Sequence, residues 1–194
     1  MQHDSLKNKT IKGVGWSAAD ALLGQGVTFI VGLVLARLLS PDEYGLIGIC
    51  LIFTTVLNGI VDSGFSNALI RKKDVTDEDY NTMFTTNMAI SIVLYVLLFI
   101  SAPFVSDFFH RIELIALVRV TGLILFLNAL SITQVTILTK NIDFKTKTKA
   151  SLVSAIISGV IGIAMAFKGY GVWALVAQQL SKQLLFTLCL WVLN

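Results

Sequence analysis

Between Asp79 and Asp107 the chain carries no charged residue. An α-helix needs ~20 predominantly apolar residues to cross the hydrocarbon core of a bilayer, and this run exceeds that. A second run, from Arg119 to Lys140, is also uncharged. Composition extends the argument to the whole chain. Of its 194 residues 55% are hydrophobic and only 14% charged, and mean hydropathy is +0.79. Soluble domains average ~25% charged residues, so this chain lacks the polar side chains to cover a water-exposed surface. A soluble enzyme, a disordered tail and a disulfide-rich secreted module are excluded. The fold expected is all-α, a polytopic membrane helical bundle.

Six spans are expected, at about 14–37, 45–70, 81–102, 114–138, 150–167 and 172–193. The connections between them are short, so the expected organisation is one six-helix lobe with no extramembrane domain. Two starts carry capping chemistry. Ser40-Pro-Asp-Glu43 offers an N-cap acceptor, Pro at the first helical position and Glu three residues on. Thr76-Asp-Glu-Asp79 repeats the device, with acids at the positive end of the helix dipole. Its Asp77-Glu-Asp79 also matches a metal-dependent glycosyltransferase pattern, but no nucleotide-sugar domain surrounds it, so capping is the reading. Lys168-Gly-Tyr-Gly171 predicts a tight reversal between the last two spans.

Basic residues set the expected orientation. Segments 1–13, 71–80 and 139–149 hold Lys7, Lys9, Lys12, Arg71, Lys72, Lys73, Lys140, Lys145, Lys147 and Lys149, ten of the fifteen Lys and Arg residues. Both termini are therefore expected in the cytoplasm. No cleavable signal peptide is evident, because the stretch behind the first lysines is of full membrane-spanning length. A net charge of +3 without a basic, aromatic-interleaved tract gives no sign of nucleic acid as a partner. Cys50 and Cys189 fall within spans and read as free, buried thiols.

Catalytic motifs are absent: the two histidines, His3 and His110, lie outside the spans, and no metal-ligand, Walker or nucleophile-elbow pattern occurs. No enzyme activity, cofactor or metal site is expected. Gly24-Gln-Gly26 reads as a packing or bending feature rather than a phosphate loop. The fifth span places Ser151, Ala155 and Gly159, then Ser154, Ser158, Gly162 and Ala166, at the helical spacing that allows close approach in lipid.

Polar residues within spans carry more information, since a charge at mid-bilayer costs ~2.5–3.5 kcal/mol on insertion scales. Lys182 lies ten residues into the sixth span, about 15 Å deep at 1.5 Å per residue, on one face with Gln178, Gln179 and Gln183. The first span shows a comparable face of Ser17, Asp20, Gly24, Gln25 and Thr28, and the second one of Thr54, Thr55, Asn58, Asp62 and Ser66. On the fourth, Thr121, Asn128, Ser131 and Gln134 share a side, with Arg119 off its centre. Such faces suggest the wall of a hydrated cavity for a polar substrate rather than a backbone-carbonyl ion filter. Arg119 and Arg37 fit either that cavity or snorkelling to headgroups. Asp20 and Asp62 fit either a functional role or an interhelical hydrogen bond.

The ordered motifs add a resemblance. These are Gln25-Gly26 leading to Leu35-Ala-Arg-Leu-Leu-Ser-Pro41 with Tyr44-Gly45; Asp62-Ser-Gly-Phe-Ser-Asn-Ala-Leu-Ile70; Arg71-Lys-Lys-Asp74 with Thr76 and Asp79; Ala102-Pro103 followed by Phe108; Phe144-Lys145; and Gly169-Tyr-Gly-Val-Trp-Ala-Leu-Val176. In this order the set resembles the N-terminal half of Wzx-type polysaccharide flippases, in the multidrug/oligosaccharidyl-lipid/polysaccharide exporter superfamily.

The resemblance implies a bacterial inner-membrane transporter that moves undecaprenyl-diphosphate-linked oligosaccharide by alternating access, with H+ or Na+ as the coupling ion. It implies two six-helix lobes around a cationic cavity, so a C-terminal lobe, or a second copy of the chain, is an expected partner beside membrane lipids and the lipid-linked oligosaccharide. Lys182, Arg119 and Arg37 are then candidate diphosphate contacts, with Gln178 and Asn128 as further substrate-binding residues. Asp62 and Asp20 are candidate coupling or structural carboxylates. Two other readings stay open: a cation-coupled multidrug exporter of the same superfamily, and a non-transporting membrane scaffold.

Overall fold

The structure is a computed structural model, and it describes residues 20–62, 65–72 and 74–193. Every element among the described residues is helical. A π-helical turn, Asp20–Gly24, runs into α1 (Gln25–Leu38). There follow α2 (Pro41–Asp62), the short α3 (Phe65–Arg71), α4 (Asp77–Phe109), α5 (Glu113–Thr121), α6 (Ile124–Lys140), α7 (Phe144–Phe167) and α8 (Val172–Leu193). The all-α membrane bundle expected from composition is what forms.

Four stretches are long and apolar enough to cross a bilayer: Pro41–Arg71, Asp77–Phe109, Glu113–Lys140 and Phe144–Phe167. Leu22–Leu38 is apolar but shorter. The last helix, α8, has 22 residues and carries Gln178, Gln179, Lys182 and Gln183 through its middle, which sets it apart from the four. Large apolar side chains such as Phe29, Ile52, Ile100, Phe104 and Val160 point away from the bundle. In water this would be an aggregation surface; against acyl chains it is the expected outer face.

Both capping motifs form. The Ser40 hydroxyl accepts from the Glu43 N–H at 3.3 Å, and the Glu43 carboxylate accepts from the Ser40 N–H at 2.6 Å. Thr76 and Asp79 make the same reciprocal pair at the start of α4, and Lys72 adds a 2.6 Å ion pair to Asp79. These boxes satisfy N–H groups that a helix start otherwise leaves without partners.

Several boundaries differ from those read in the sequence. The second span starts at Pro41 rather than 45, because the capping box is itself the helix start. The third runs from Asp77 through Pro103 to Phe109, past its expected end at 102. A proline inside a membrane helix is tolerated where neighbouring groups take up the freed backbone, and the stop comes instead at His110, in the left-handed conformation (φ 56°). The fourth span is not one helix: α5 and α6 meet at Gly122–Leu123. A Cβ at Gly122 would lie 2.9 Å from Leu98 Cδ2 and 3.1 Å from the Tyr95 ring, so α4 approaches closest where the chain breaks step. The fifth helix begins at Phe144, six residues before the expected 150. The reversal between α7 and α8 follows the reading, with Gly169 and Gly171 both at positive φ.

The core lies between α2, α4, α5, α6 and α8, where Leu35 of α1 joins Ala102, Leu114, Leu117, Leu125, Ala129 and Ala174 in being fully enclosed. The small face read in the fifth span packs as expected. Ser154, Ser158, Gly159 and Gly162 are buried, Gly159 against Val31 of α1 and Gly162 against Gln178 of α8.

The two ends of the bundle are chemically distinct. At one, Arg111 makes a two-pronged ion pair with Asp42 at 2.7 and 2.8 Å, clamping the α4–α5 turn to the start of α2. Asp42, and then Glu113, hold the Arg111 guanidinium more firmly protonated than usual. Glu43 lies against Gly171 at this same end. At the other, Lys140 donates to the carbonyls of Leu69 (3.2 Å) and Lys72 (2.6 Å), holding the C-terminal end of α3 against α6.

Candidate functional site

A polar cavity lies between α2, α6, α7 and α8, on the side of the bundle that carries Lys140, and measures about 410 Å³. Its polar lining is Asn58 and Asp62 from α2, Asn128 and Ser131 from α6, Lys147 from α7 and Gln183 from α8. Ile132, Val135 and Phe186 supply apolar wall. Ligand pockets commonly occupy ~300–1,000 Å³, so the space suits a small polar group rather than a whole oligosaccharide.

One wall is a ladder between α8 and α6. Gln183, Thr187 and Trp191, spaced by four residues on one face of α8, each donate across to α6. Gln183 Nε2 reaches Asn128 Oδ1 at 2.6 Å and Ser131 Oγ at 3.1 Å. Thr187 Oγ1 reaches the Leu127 carbonyl and Trp191 Nε1 the Leu130 carbonyl, both at 3.1 Å. Interhelical bonds of this kind give ~0.6–2 kcal/mol each in a membrane. They also fix the amides: with both Gln183 N–H groups engaged on this wall, Gln183 Oε1 and Asn128 Nδ2 are left for the cavity.

On the opposite wall, Asp62 accepts one bond, from Ser66 Oγ at 2.6 Å. This bond is local, four residues along the same span rather than between spans, and it leaves one carboxylate oxygen available. Asn58 Oδ1 is buried without a hydrogen-bond partner. Lys147 forms no ion pair among the described residues, although Asp62 lines the same space.

The residues expected to act together fall into separate environments. Lys182 faces α1, its ammonium 3.4 Å from Thr28 Oγ1, which in turn donates to the Gly24 carbonyl. Gln178 packs against Gly162 of α7. The polar stripe of the last helix is thus divided, Gln178 and Lys182 toward α7 and α1, Gln183 toward α6. Arg119 stacks its guanidinium 4.0 Å over the Phe99 ring of α4, on a different helix pair from Lys182. Arg37 is an exposed residue in the last turn of α1. Asp20 opens the π-helical turn, and its side chain lies outside the described residues. Asn128 and Asp62 do share the cavity.

Much of the remaining polar content is used within its own helix. Thr54 and Thr121 are buried and bond carbonyls three and four residues back, the usual alternative for hydroxyls inside a helix. The continuous hydrated wall expected from the stripes reduces to the cavity and the Lys182–Thr28 contact. Lys147 was read as a topology charge, not a cavity residue. The available signal was its register: it stands four, seven and eleven residues before Ser151, Ser154 and Ser158, on the small face that turns inward.

Comparison with known proteins places this geometry in context. Residues 34–194 match the family described as polysaccharide biosynthesis protein. The chain is 28% identical over 175 residues to the succinoglycan biosynthesis transport protein ExoT of Rhizobium meliloti (strain 1021), covering 90% of this chain and 35% of that protein. It is 25% identical over 162 residues to the teichuronic acid biosynthesis protein TuaB of Bacillus subtilis (strain 168), covering 83% and 34%. It is 27% identical over 119 residues to the lipopolysaccharide biosynthesis protein WzxC of Escherichia coli (strain K12), covering 61% and 24%. The chain spans about a third or less of the length of these relatives. No solved structure matches it.

Proposed function

Because the chain belongs to the polysaccharide biosynthesis protein family, whose relatives include a succinoglycan transport protein, we propose that it is one lobe of a transporter for undecaprenyl-diphosphate-linked oligosaccharide in the bacterial inner membrane. The observation that carries this reading is the family match over most of the chain, joined to unpaired polar and charged side chains held inside an apolar bundle. A membrane protein keeps such groups where a polar cargo or ion passes.

In this reading the lobe has six spans with both termini in the cytoplasm, and the Lys140 end faces the cytoplasm under the positive-inside bias. The cavity then opens on the side where the lipid-linked cargo arrives. Lys182, held at α1 by a long contact with a hydroxyl rather than by a carboxylate, is free to exchange that partner for a diphosphate oxygen. Arg37 and Arg119 serve headgroup-level contacts, the latter stacked as a guanidinium on an aromatic face. Asp62, which shares its cavity with Lys147, is the candidate coupling carboxylate, with a proton as the coupling ion. Gly26, Gly32, Gly45, Gly48 and Gly59 look onto open space, which supports a face of α1 and α2 reserved for the second lobe or a second copy.

The test is Lys182→Ala in the complete protein, in cells whose surface polysaccharide depends on it. Membrane insertion should be retained and polymer export lost. Normal polysaccharide on cells carrying the change removes the role given to Lys182.

A further inference from the structure

The cavity between α2, α6, α7 and α8 has a donor and acceptor inventory that discriminates between classes of ligand. An inorganic cation is disfavoured, because Lys147 already places a positive charge in the space. A phosphate or diphosphate is disfavoured by the Asp62 carboxylate on the facing wall, since like charges at close range repel. What remains is a ligand without net charge that both donates and accepts. Three acceptors await a donor: the buried Asn58 Oδ1, the free oxygen of Asp62 and Gln183 Oε1. Two donors await an acceptor: Asn128 Nδ2 and Lys147 Nζ. Hydroxyl groups do both at once, and the Phe186 ring on the same wall offers an apolar face to ring C–H groups.

We propose that this cavity is a monosaccharide subsite, which takes one pyranose ring of the glycan from the cytoplasmic side and thereby selects cargo by its sugar rather than by its diphosphate. The inference rests on the reading that the cargo is a lipid-linked glycan. The volume supports it, being large enough for a pyranose ring and its substituents. Asn58 Oδ1, buried without a partner, gains one from a bound hydroxyl, while the other groups exchange water for the sugar. An analogue lacking the matched hydroxyl supplies no such partner, which is how a site of this kind discriminates.

The experiment uses the chain in lipid nanodiscs with glucose, galactose, N-acetylglucosamine and glucuronic acid as separate probes, read by saturation-transfer difference NMR. At least one probe should receive saturation on its ring protons. Gln183→Leu should weaken its affinity by about tenfold, the equivalent of losing one well-made bond. Lys147→Gln, which has no bond among the described residues to lose and so leaves packing intact, should weaken it severalfold. Transfer to none of the four probes, or transfer unchanged in both variants, overturns the subsite. So does sodium binding, seen by 23Na relaxation and lost in Asp62→Asn, when no sugar is bound.

A second arm separates this from the transport reading. If deleting the gene leaves surface polysaccharide intact, the transport reading fails whatever the cavity binds. If deletion removes the polymer and the Gln183→Leu and Lys147→Gln proteins restore it for every glycan, the subsite fails and the transport reading stands.

Discussion

Gly159 of α7 gives the sharpest test of how the first helix is held. A Cβ built there would lie 2.5 Å from Val31 Cγ2, with Cγ1 and Cβ of the same side chain at 3.5 and 3.6 Å. Carbon atoms pack best at ~3.5–4.0 Å, so Gly159→Ala overlaps Val31 by about 1 Å. Val31 is buried, and a β-branched side chain in a helix has essentially one χ1 rotamer. It cannot swing away, so α1 must move off α7. Overpacking of this kind costs ~1–3 kcal/mol, while helix propensity alone favours Ala over Gly by ~1 kcal/mol. The net is a loss of up to ~2 kcal/mol. Gly48 of α2 has nothing within 4 Å, so Gly48→Ala should express the propensity gain alone. Unfolding by detergent titration should therefore separate the two variants by ~1–3 kcal/mol. Val31→Ala added to Gly159→Ala should remove the clash, giving a favourable coupling energy in the double-mutant cycle. Equal stability of Gly159→Ala and Gly48→Ala, or a coupling of zero, would refute the close approach of α1 and α7.

Gly171→Ala should destabilise the α7–α8 turn by ~1–2 kcal/mol, the cost of a left-handed backbone with a Cβ, because Gly171 sits at φ 57° with the Glu43 side chain against it. Thermal unfolding checks this, and a melting point at or above that of the unmodified chain counts against the turn. Lys140→Met should free the Leu69 and Lys72 carbonyls, so hydrogen exchange should accelerate over 65–72 while α4 is unchanged. Exchange unaltered in that segment would show that α3 is held by packing alone.

The sequence was most legible where a single physical rule decides. Uncharged runs gave the all-α bundle, and capping boxes gave the starts of α2 and α4, because reciprocal N-cap bonds depend only on residues three apart. Glycine at positive φ marked the α7–α8 reversal in the same way. The break between α5 and α6 was not legible, since Gly122 is there for the approach of Leu98 and Tyr95, residues distant in the chain. The end of α4 was not legible either: a proline ends a helix by its local rule, whereas α4 continues through Pro103 to Phe109. For the candidate site, periodicity picked out Asn58, Asp62, Asn128, Ser131 and Gln183 of the cavity lining but neither Lys147 nor the way the faces pair. A stripe spread over about 140° of a helix can face two neighbours, and on α8 it does.

That division has a functional consequence. Gln183 is bound by α6 through bonds of 2.6 and 3.1 Å, and the ladder continues through Thr187 and Trp191, so hydrogen bonds join α6 and α8 along this face. Lys182, on the adjacent face, meets α1 only through a 3.4 Å contact with Thr28. The same helix is thus hydrogen-bonded to α6 on one side, packed against α7 through Gln178 and Gly162, and in touch with α1 through one long contact. A transporter that changes shape must have some helix pairs that stay together and others that part, because packed interfaces switch between discrete arrangements rather than deform continuously. Here the side bonded to α6 carries the amides of the cavity and the side facing α1 carries Lys182. Movement of α1 along α7 would alter what Lys182 meets without disturbing Gln183 and Asn128. In the transport reading proposed above, binding at the cavity and exchange of partners at Lys182 would be separable events, because the two lie on different faces of one helix.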